Sequence, residues 1–149
     1  MSDLEQHERF MREAIQEALK GDVSKTSPNP RVGSVIVENG AIVARGNFEM
    51  DGGPHAERNA LADLGRIPEP SATLYVTLEP CSTQGRTGAC SLAIVDASVG
   101  CVVVGALDPT PAHRGNGLIA LRDAGVAVVS DVLVSECEAI NPGFSGRET

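Results

Sequence analysis

The chain has 149 residues, with 42% apolar and 21% charged content, which fits one ordered domain whose core needs neither disulfides nor a metal to hold it. Its net charge of -8 and its four aromatics, Phe10, Phe48, Tyr75 and Phe144, argue against a polynucleotide surface, which needs clustered Lys and Arg and a row of stacking platforms. Residues Met1 to Glu5 lack the basic and apolar segments of a signal peptide, and the longest strongly apolar stretch, Cys101 to Leu107, is far short of a bilayer span. The expectation is a soluble cytoplasmic protein without a membrane segment, in which thiols stay reduced.

Phe10, Met11, Ala14, Ile15, Ala18 and Leu19 recur at helical spacing and predict an amphipathic helix from about Leu4 to Lys20. Thr26-Ser27-Pro28-Asn29-Pro30 cannot continue it, because two prolines remove donors and restrict their neighbours. Val32 to Val37 is β-branched and reads as a strand; Asn39-Gly40 is a tight-turn signal, and Ala41 to Arg45 returns as the second strand of a hairpin. Gly52 and Gly53 break the chain before Pro54, and His55 to Leu64 reads as a helix. Thr73 to Leu78 is a short strand, and Thr87 can cap a helix from about Gly88 to Asp96.

Gly100 to Leu107 is a nearly continuous apolar strand, as expected where both faces are covered. Leu118 to Asp123 reads as a helix, Val126 to Ser130 as a strand, and Asp131 to Ile140 as a last helix. A hairpin followed by strand–helix alternation suggests one α/β domain, residues 1–149, built on a mixed sheet of about five strands with helices on both faces. There is no internal repeat, linker or low-complexity segment.

The chemistry concentrates in His55-Ala56-Glu57, Pro80-Cys81 and Cys90. In a reducing compartment, paired cysteines more often mean metal than disulfide. One imidazole and two thiols make three soft ligands for zinc and leave a fourth position open, the pattern of a catalytic rather than a structural site. Cys81 and Cys90 both fall near helix starts, where unpaired amides and the helix dipole favour the thiolate. Taken singly, His55 could be a surface imidazole, Glu57 a solvated acid and the cysteines plain core; their order together favours the metal reading. Cys101, within Cys101-Val102-Val103-Val104, and Cys137 read as buried core.

The order His-x-Glu…Pro-Cys…Cys matches the established signature of zinc-dependent base deaminases. At these residues the chain resembles the cytidine-deaminase-like superfamily, and more closely its riboflavin-pathway pyrimidine deaminases. The general signature separates its cysteines by two residues, whereas here eight, Ser82 to Ala89, intervene. The segment from Tyr75 to Cys90 is similar to the riboflavin branch, with its longer inter-cysteine loop. Pro28-Asn29-Pro30-Arg31-Val32-Gly33, Asp108-Pro109-Thr110-Pro111 with Gly115 and Gly117, and Asn141-Pro142-Gly143-Phe144 resemble other landmarks of that branch.

The resemblance implies a three-layer α-β-α cytidine-deaminase-like fold. It implies zinc held by His55, Cys81 and Cys90, with Glu57 as the proton shuttle. Asn29 would hydrogen-bond the pyrimidine through its donor and acceptor; read from the residues alone, it could equally be a turn residue bonding its own backbone. Arg86 would contact a substrate phosphate or ribose. Phe48 stands where the branch carries a substrate-contacting His, and an apolar ring there suggests stacking on a base. Arg58-Asn59-Ala60-Leu61 is closer to nucleoside and nucleobase deaminases, and Gly88-Ala89 replaces two prolines.

The implied activity is hydrolytic deamination of a small aminated heterocycle, foremost the riboflavin-pathway diaminohydroxyphosphoribosylaminopyrimidine. The alternatives are the same chemistry on another nucleobase, nucleoside or specialised-metabolite pyrimidine, and a catalytically silent zinc-binding scaffold. The resemblance also implies a homodimer or higher oligomer. Because the sequence stops at Thr149, just past Asn141-Pro142-Gly143-Phe144, no nicotinamide-dependent reductase domain and no NADPH site are expected.

Overall fold

The structure, a computed structural model, describes residues 2–81, 89–111 and 113–144. Helix α1 (Asp3–Leu19) starts at Ser2, whose hydroxyl accepts the Glu5 amide, the bond a serine N-cap is suited to make. A single short turn, α2 (Val23–Thr26), follows behind an Asp22 cap. Four residues are too few to show a periodicity, so no helical pattern in the sequence announces it. The Ser27–Pro28 peptide is cis.

Strands β1 (Gly33–Glu38) and β2 (Ala41–Asn47) form the expected hairpin around Asn39 and Gly40, both with positive φ, the conformation a two-residue turn between right-twisting strands requires. Then come α3 (Ala56–Leu64), β3 (Thr73–Leu78), α4 (Cys90–Asp96), β4 (Cys101–Ala106), α5 (Asn116–Asp123), β5 (Ala127–Val129) and α6 (Val134–Glu138). The α4 cap position falls at Ala89 rather than Thr87, and Thr87 lies outside the described residues. The last helix is shorter than its sequence pattern because Asp131 and Leu133 take positive φ, which no helix interior accommodates.

The five strands form one sheet in the order β2-β1-β3-β4-β5, antiparallel on the hairpin side and parallel across β3, β4 and β5. Glycines fix the layers. A Cβ on Gly33 would lie 2.0 Å from the Ala14 carbonyl oxygen of α1, and one on Gly46 would lie 2.3 Å from the Ala60 nitrogen of α3. Gly46 pairs with Ser34, the neighbour of Gly33, and adjacent strand residues face opposite ways. Helices α1 and α3 therefore cover opposite faces.

Gly105 shares the α1 face and meets Cys137 of α6, while α4 packs between α3 and α5 on the other face. The result is three layers, with β3 and β4 almost wholly buried between them. Among the described residues no helix is long and apolar enough to cross a membrane.

Candidate metal centre and active site

The open end of this sheet is where β3 and β4 finish, and parallel strands place ligands beyond their carboxyl ends. Three segments converge there. His55 is the N-cap residue of α3, Cys81 follows β3, and Cys90 is the first residue of α4. His55 Nδ1 lies 3.1 Å from Cys90 Sγ and 3.7 Å from Cys81 Sγ, and the three ligand atoms all fall within 4.8 Å of one another.

Zinc–sulfur and zinc–nitrogen bond lengths with tetrahedral angles put such a nitrogen and sulfur about 3.6 Å apart. The donor set therefore fits zinc in both chemistry and spacing, with Nδ1 as the imidazole ligand. The Cys90 amide donates to Cys81 Sγ at 3.2 Å, an interaction that favours the thiolate form a metal binds. Ser91 N–H donates to the Cys81 carbonyl at 3.1 Å, and Arg58 Nη2 donates to the Ala89 carbonyl at 3.3 Å. These bonds hold the two cysteines and α3 in a common frame.

Glu57 sits in the first turn of α3 and is fully buried. Phe48 is also buried, and its ring meets the His55 imidazole edge to face at a centroid distance of 5.5 Å. The ring that the sequence offered to a substrate is thus packed against the candidate ligand His55. Asn29 Nδ2 donates to Asp51 Oδ1 at 2.6 Å. Its side chain is neither bonding its own backbone nor pointing at random: a carboxylate only accepts, so the amide nitrogen faces Asp51 and the amide oxygen is turned away from it. Asn59 Nδ2 donates to the carbonyls of Asn47 and Pro54, so it staples the glycine-rich segment that leads into His55. Arg86 lies outside the described residues.

Glu79, which no sequence motif singles out, also belongs to this region. This residue is 1% exposed, and its carboxylate accepts the amides of Asp108 (2.9 Å), Gly115 (2.9 Å) and Gly117 (3.2 Å). The only trace of this in the sequence is an acid closing an apolar strand, together with the glycines at 115 and 117. Gly115 takes φ +82° at the cap of α5, and a Cβ on Gly117 would fall 1.9 Å from the Pro80 carbonyl oxygen. The loop after β4 is thereby fastened directly to the residues that lead into Cys81.

Over residues 4–106 the sequence matches the family described as the cytidine and deoxycytidylate deaminase zinc-binding region. It is 47% identical over 144 residues to the riboflavin biosynthesis protein RibD of Actinobacillus pleuropneumoniae, covering 97% of this chain and 37% of that protein. The chain thus spans little more than a third of that relative's length. It is 40% identical over 138 residues to the diaminohydroxyphosphoribosylamino-pyrimidine deaminase of Buchnera aphidicola subsp. Acyrthosiphon pisum, covering 93% of this chain and 92% of that one. The solved structure of Acinetobacter baumannii RibD superposes with a TM-score of 0.91 at 39% identity, over 96% of this chain and 40% of that chain. This chain belongs to the zinc-binding deaminase family, in the branch of the riboflavin-biosynthesis pyrimidine deaminases.

Proposed function

We propose that the protein hydrolytically deaminates the riboflavin-pathway diaminohydroxyphosphoribosylaminopyrimidine, with zinc held by His55 Nδ1, Cys81 and Cys90 and with Glu57 moving the protons. The observation that carries this reading is the convergence of one imidazole nitrogen and two thiols within 4.8 Å, in a chain that matches a deaminase of that name along nearly its whole length.

A zinc ion there supplies the Lewis acidity that brings the deprotonation of water near neutral pH. Glu57 takes one proton of the attacking water and delivers it to the ring nitrogen, then carries the second, from the newly added hydroxyl, to the departing amine. The net change adds water across an amidine-like carbon–nitrogen bond and releases ammonia. Burial of Glu57 keeps bulk water from competing for that proton. Asn29, with its nitrogen committed to Asp51, offers its oxygen to a donor on the pyrimidine. Arg86 is the candidate contact for the phosphate. Phe48 contributes by packing on His55 and fixing the plane of the ligand ring.

Two of the sequence departures that favoured another substrate have local partners: Phe48 packs on His55, and Asn59 bonds backbone carbonyls. With these roles, neither residue argues for a free base or nucleoside over the riboflavin precursor. Ammonia release from a panel of aminopyrimidines, aminopurines and nucleosides tests the assignment. Turnover of the riboflavin precursor is the expected result; turnover of cytidine or guanine without it would replace this substrate with another. Glu57→Gln should keep zinc and fold while losing turnover by about 10²- to 10⁴-fold, the usual range for a lost general acid–base group. Unchanged turnover would refute the role given to Glu57.

A further inference from the structure

A carboxylate buried in an apolar layer is costly unless charge-assisted hydrogen bonds satisfy it. Glu79 is 1% exposed at the end of β3, and its backbone still belongs to the sheet, with Glu79 N–H donating to the Ala106 carbonyl at 2.9 Å. Its side chain leaves the sheet and gathers three amides spread over residues 108–117. Two of them, Gly115 and Gly117, belong to the cap and first turn of α5, where no local side chain caps the helix. An acid there complements the helix dipole as well as the unpaired amides.

The consequence reaches the metal centre through Pro80. Proline has no N–H and a fixed φ, so the link from Glu79 to Cys81 is short and stiff. The Pro80 carbonyl presses against the Gly117 Cα, where a Cβ would lie 1.9 Å from the oxygen. On the other side the Cys81 carbonyl is held by Ser91 N–H and its sulfur by Cys90 N–H. Cys81 is thus gripped between the start of α4 and a loop whose position Glu79 sets.

We propose that Glu79 is a positioning residue for the metal centre: its carboxylate couples the 108–117 loop to the backbone that presents Cys81, so that zinc binding and loop order rise and fall together. This rests on the zinc reading of His55, Cys81 and Cys90. Coupling between two sites is reciprocal, which separates this role from plain helix capping. A residue that only stabilises the fold would lower the melting temperature of the variant and leave the metal affinity of the folded protein unchanged.

The test has two arms. In the wild-type protein, amide hydrogen exchange is followed residue by residue before and after zinc is removed by a chelator. The Asp108, Gly115 and Gly117 amides should exchange at least about 10-fold faster without zinc, while Val35 and Ile36 in β1 keep their rates. In Glu79→Gln, the amide nitrogen must face at least one backbone donor. Zinc affinity measured by chelator competition should then fall by about 10- to 100-fold, as for lost outer-shell partners of metal sites, and the ligand-field bands of the cobalt-substituted protein should shift. Equal exchange rates with and without zinc would overturn the proposal even if the variant failed to fold. So would a folded variant with wild-type zinc affinity and cobalt spectrum. A wild-type protein that binds no zinc would overturn the metal reading itself along with the proposal, whereas zinc bound without coupling overturns the proposal alone.

Discussion

Strands β3 and β4 have two ends that use the same residue types for opposite purposes. Beyond their carboxyl ends lie Cys81, Cys90, Glu57, Glu79 and Asp108, where thiols and buried acids meet amides and an imidazole. At their amino ends lie Cys101 and, on the adjoining end of β1, Glu38. The Cys101 thiol is pushed up by burial, and the Glu38 carboxylate is closed off by Arg66 at 2.6 and 3.1 Å and by the Glu69 amide at 2.8 Å. Even the close approaches are duplicated: a Cβ on Gly117 would strike the Pro80 carbonyl oxygen at 1.9 Å, and one on Gly100 the Pro70 carbonyl oxygen at 2.2 Å. A buried polar group is therefore not by itself a sign of a site. What separates the ends is that at one of them an imidazole and two thiols from three chain segments are gathered within 4.8 Å of one another, and at the other the buried carboxylate is matched by a guanidinium and one amide.

Exchanging sulfur for oxygen breaks the comparison most sharply. Cys90→Ser should lose stoichiometric zinc and more than about 10³-fold in turnover, because a hydroxyl does not supply the thiolate that binds the metal. Cys101→Ser should retain one zinc per chain and turnover within about twofold. Metal analysis and steady-state rates on both variants decide it, and zinc retained by Cys90→Ser would remove that residue from the ligand set.

The two glycines give the next largest contrast. A methyl group forced against backbone costs about 1–3 kcal/mol in a packed core. Gly100→Ala and Gly117→Ala should both lower stability by that order in denaturant titrations. Only Gly117→Ala should also weaken zinc retention, since Pro80, unlike Pro70, leads into the proposed ligand Cys81. Equal zinc affinity in the two variants would erase the distinction between the ends.

How far these distinctions could be read from the sequence follows from what kind of partner each residue has. His55, Glu57, Cys81 and Cys90 were legible because their meaning lies in residue type and order, and the mixed five-stranded sheet was legible because hairpin and alternation signals are local. Glu79 was not, because its partners are backbone amides 29, 36 and 38 residues away, and amides carry no residue identity. The partner of Phe48 was hidden for a related reason: an apolar ring preceding a candidate ligand histidine stacks on a base or on the histidine according to side-chain direction, which pattern does not specify. Likewise the Asn29–Asp51 bond spans 22 residues and leaves no spacing signal.

Thiol reactivity refines the contrast further. Burial, helped by Glu136 and Glu138, pushes the Cys137 thiol up to about 12, and burial raises Cys101 as well. Both should stay protonated at pH 8 and react slowly with a disulfide reagent, because the thiolate is the nucleophile. After zinc removal, Cys81, which is only partly buried and whose sulfur accepts the Cys90 amide, should react faster than both, and with zinc bound that fast phase should disappear. Four thiols reacting at one rate in the folded protein would contradict the assignment of environments.

The smallest effect concerns the acid at the quiet end. Glu38 is held below its ordinary value of 4.5, first by the hydrogen bond from Arg66 and then by that from the Glu69 amide. Its folded-state value is depressed, so its contribution to stability is fully present above the unfolded value and disappears as pH falls through the folded one. Glu38→Gln keeps the shape of the side chain and removes the charge. Wild type should therefore be the more stable protein near neutral pH, and the gap in melting temperature should close as pH drops below about 4. Arg66 stays cationic throughout, so its own titration does not intrude on the measurement. Turnover and zinc content at neutral pH should be unaffected, because Glu38 and Arg66 are bonded to each other and to the backbone of Ile67 and Glu69, at the opposite end of the strands from His55, Cys81 and Cys90. A gap in melting temperature that persisted unchanged to pH 3 would mean that Glu38 acts through its shape rather than its charge. The two ends would then differ in what they bind but not in how they hold their acids.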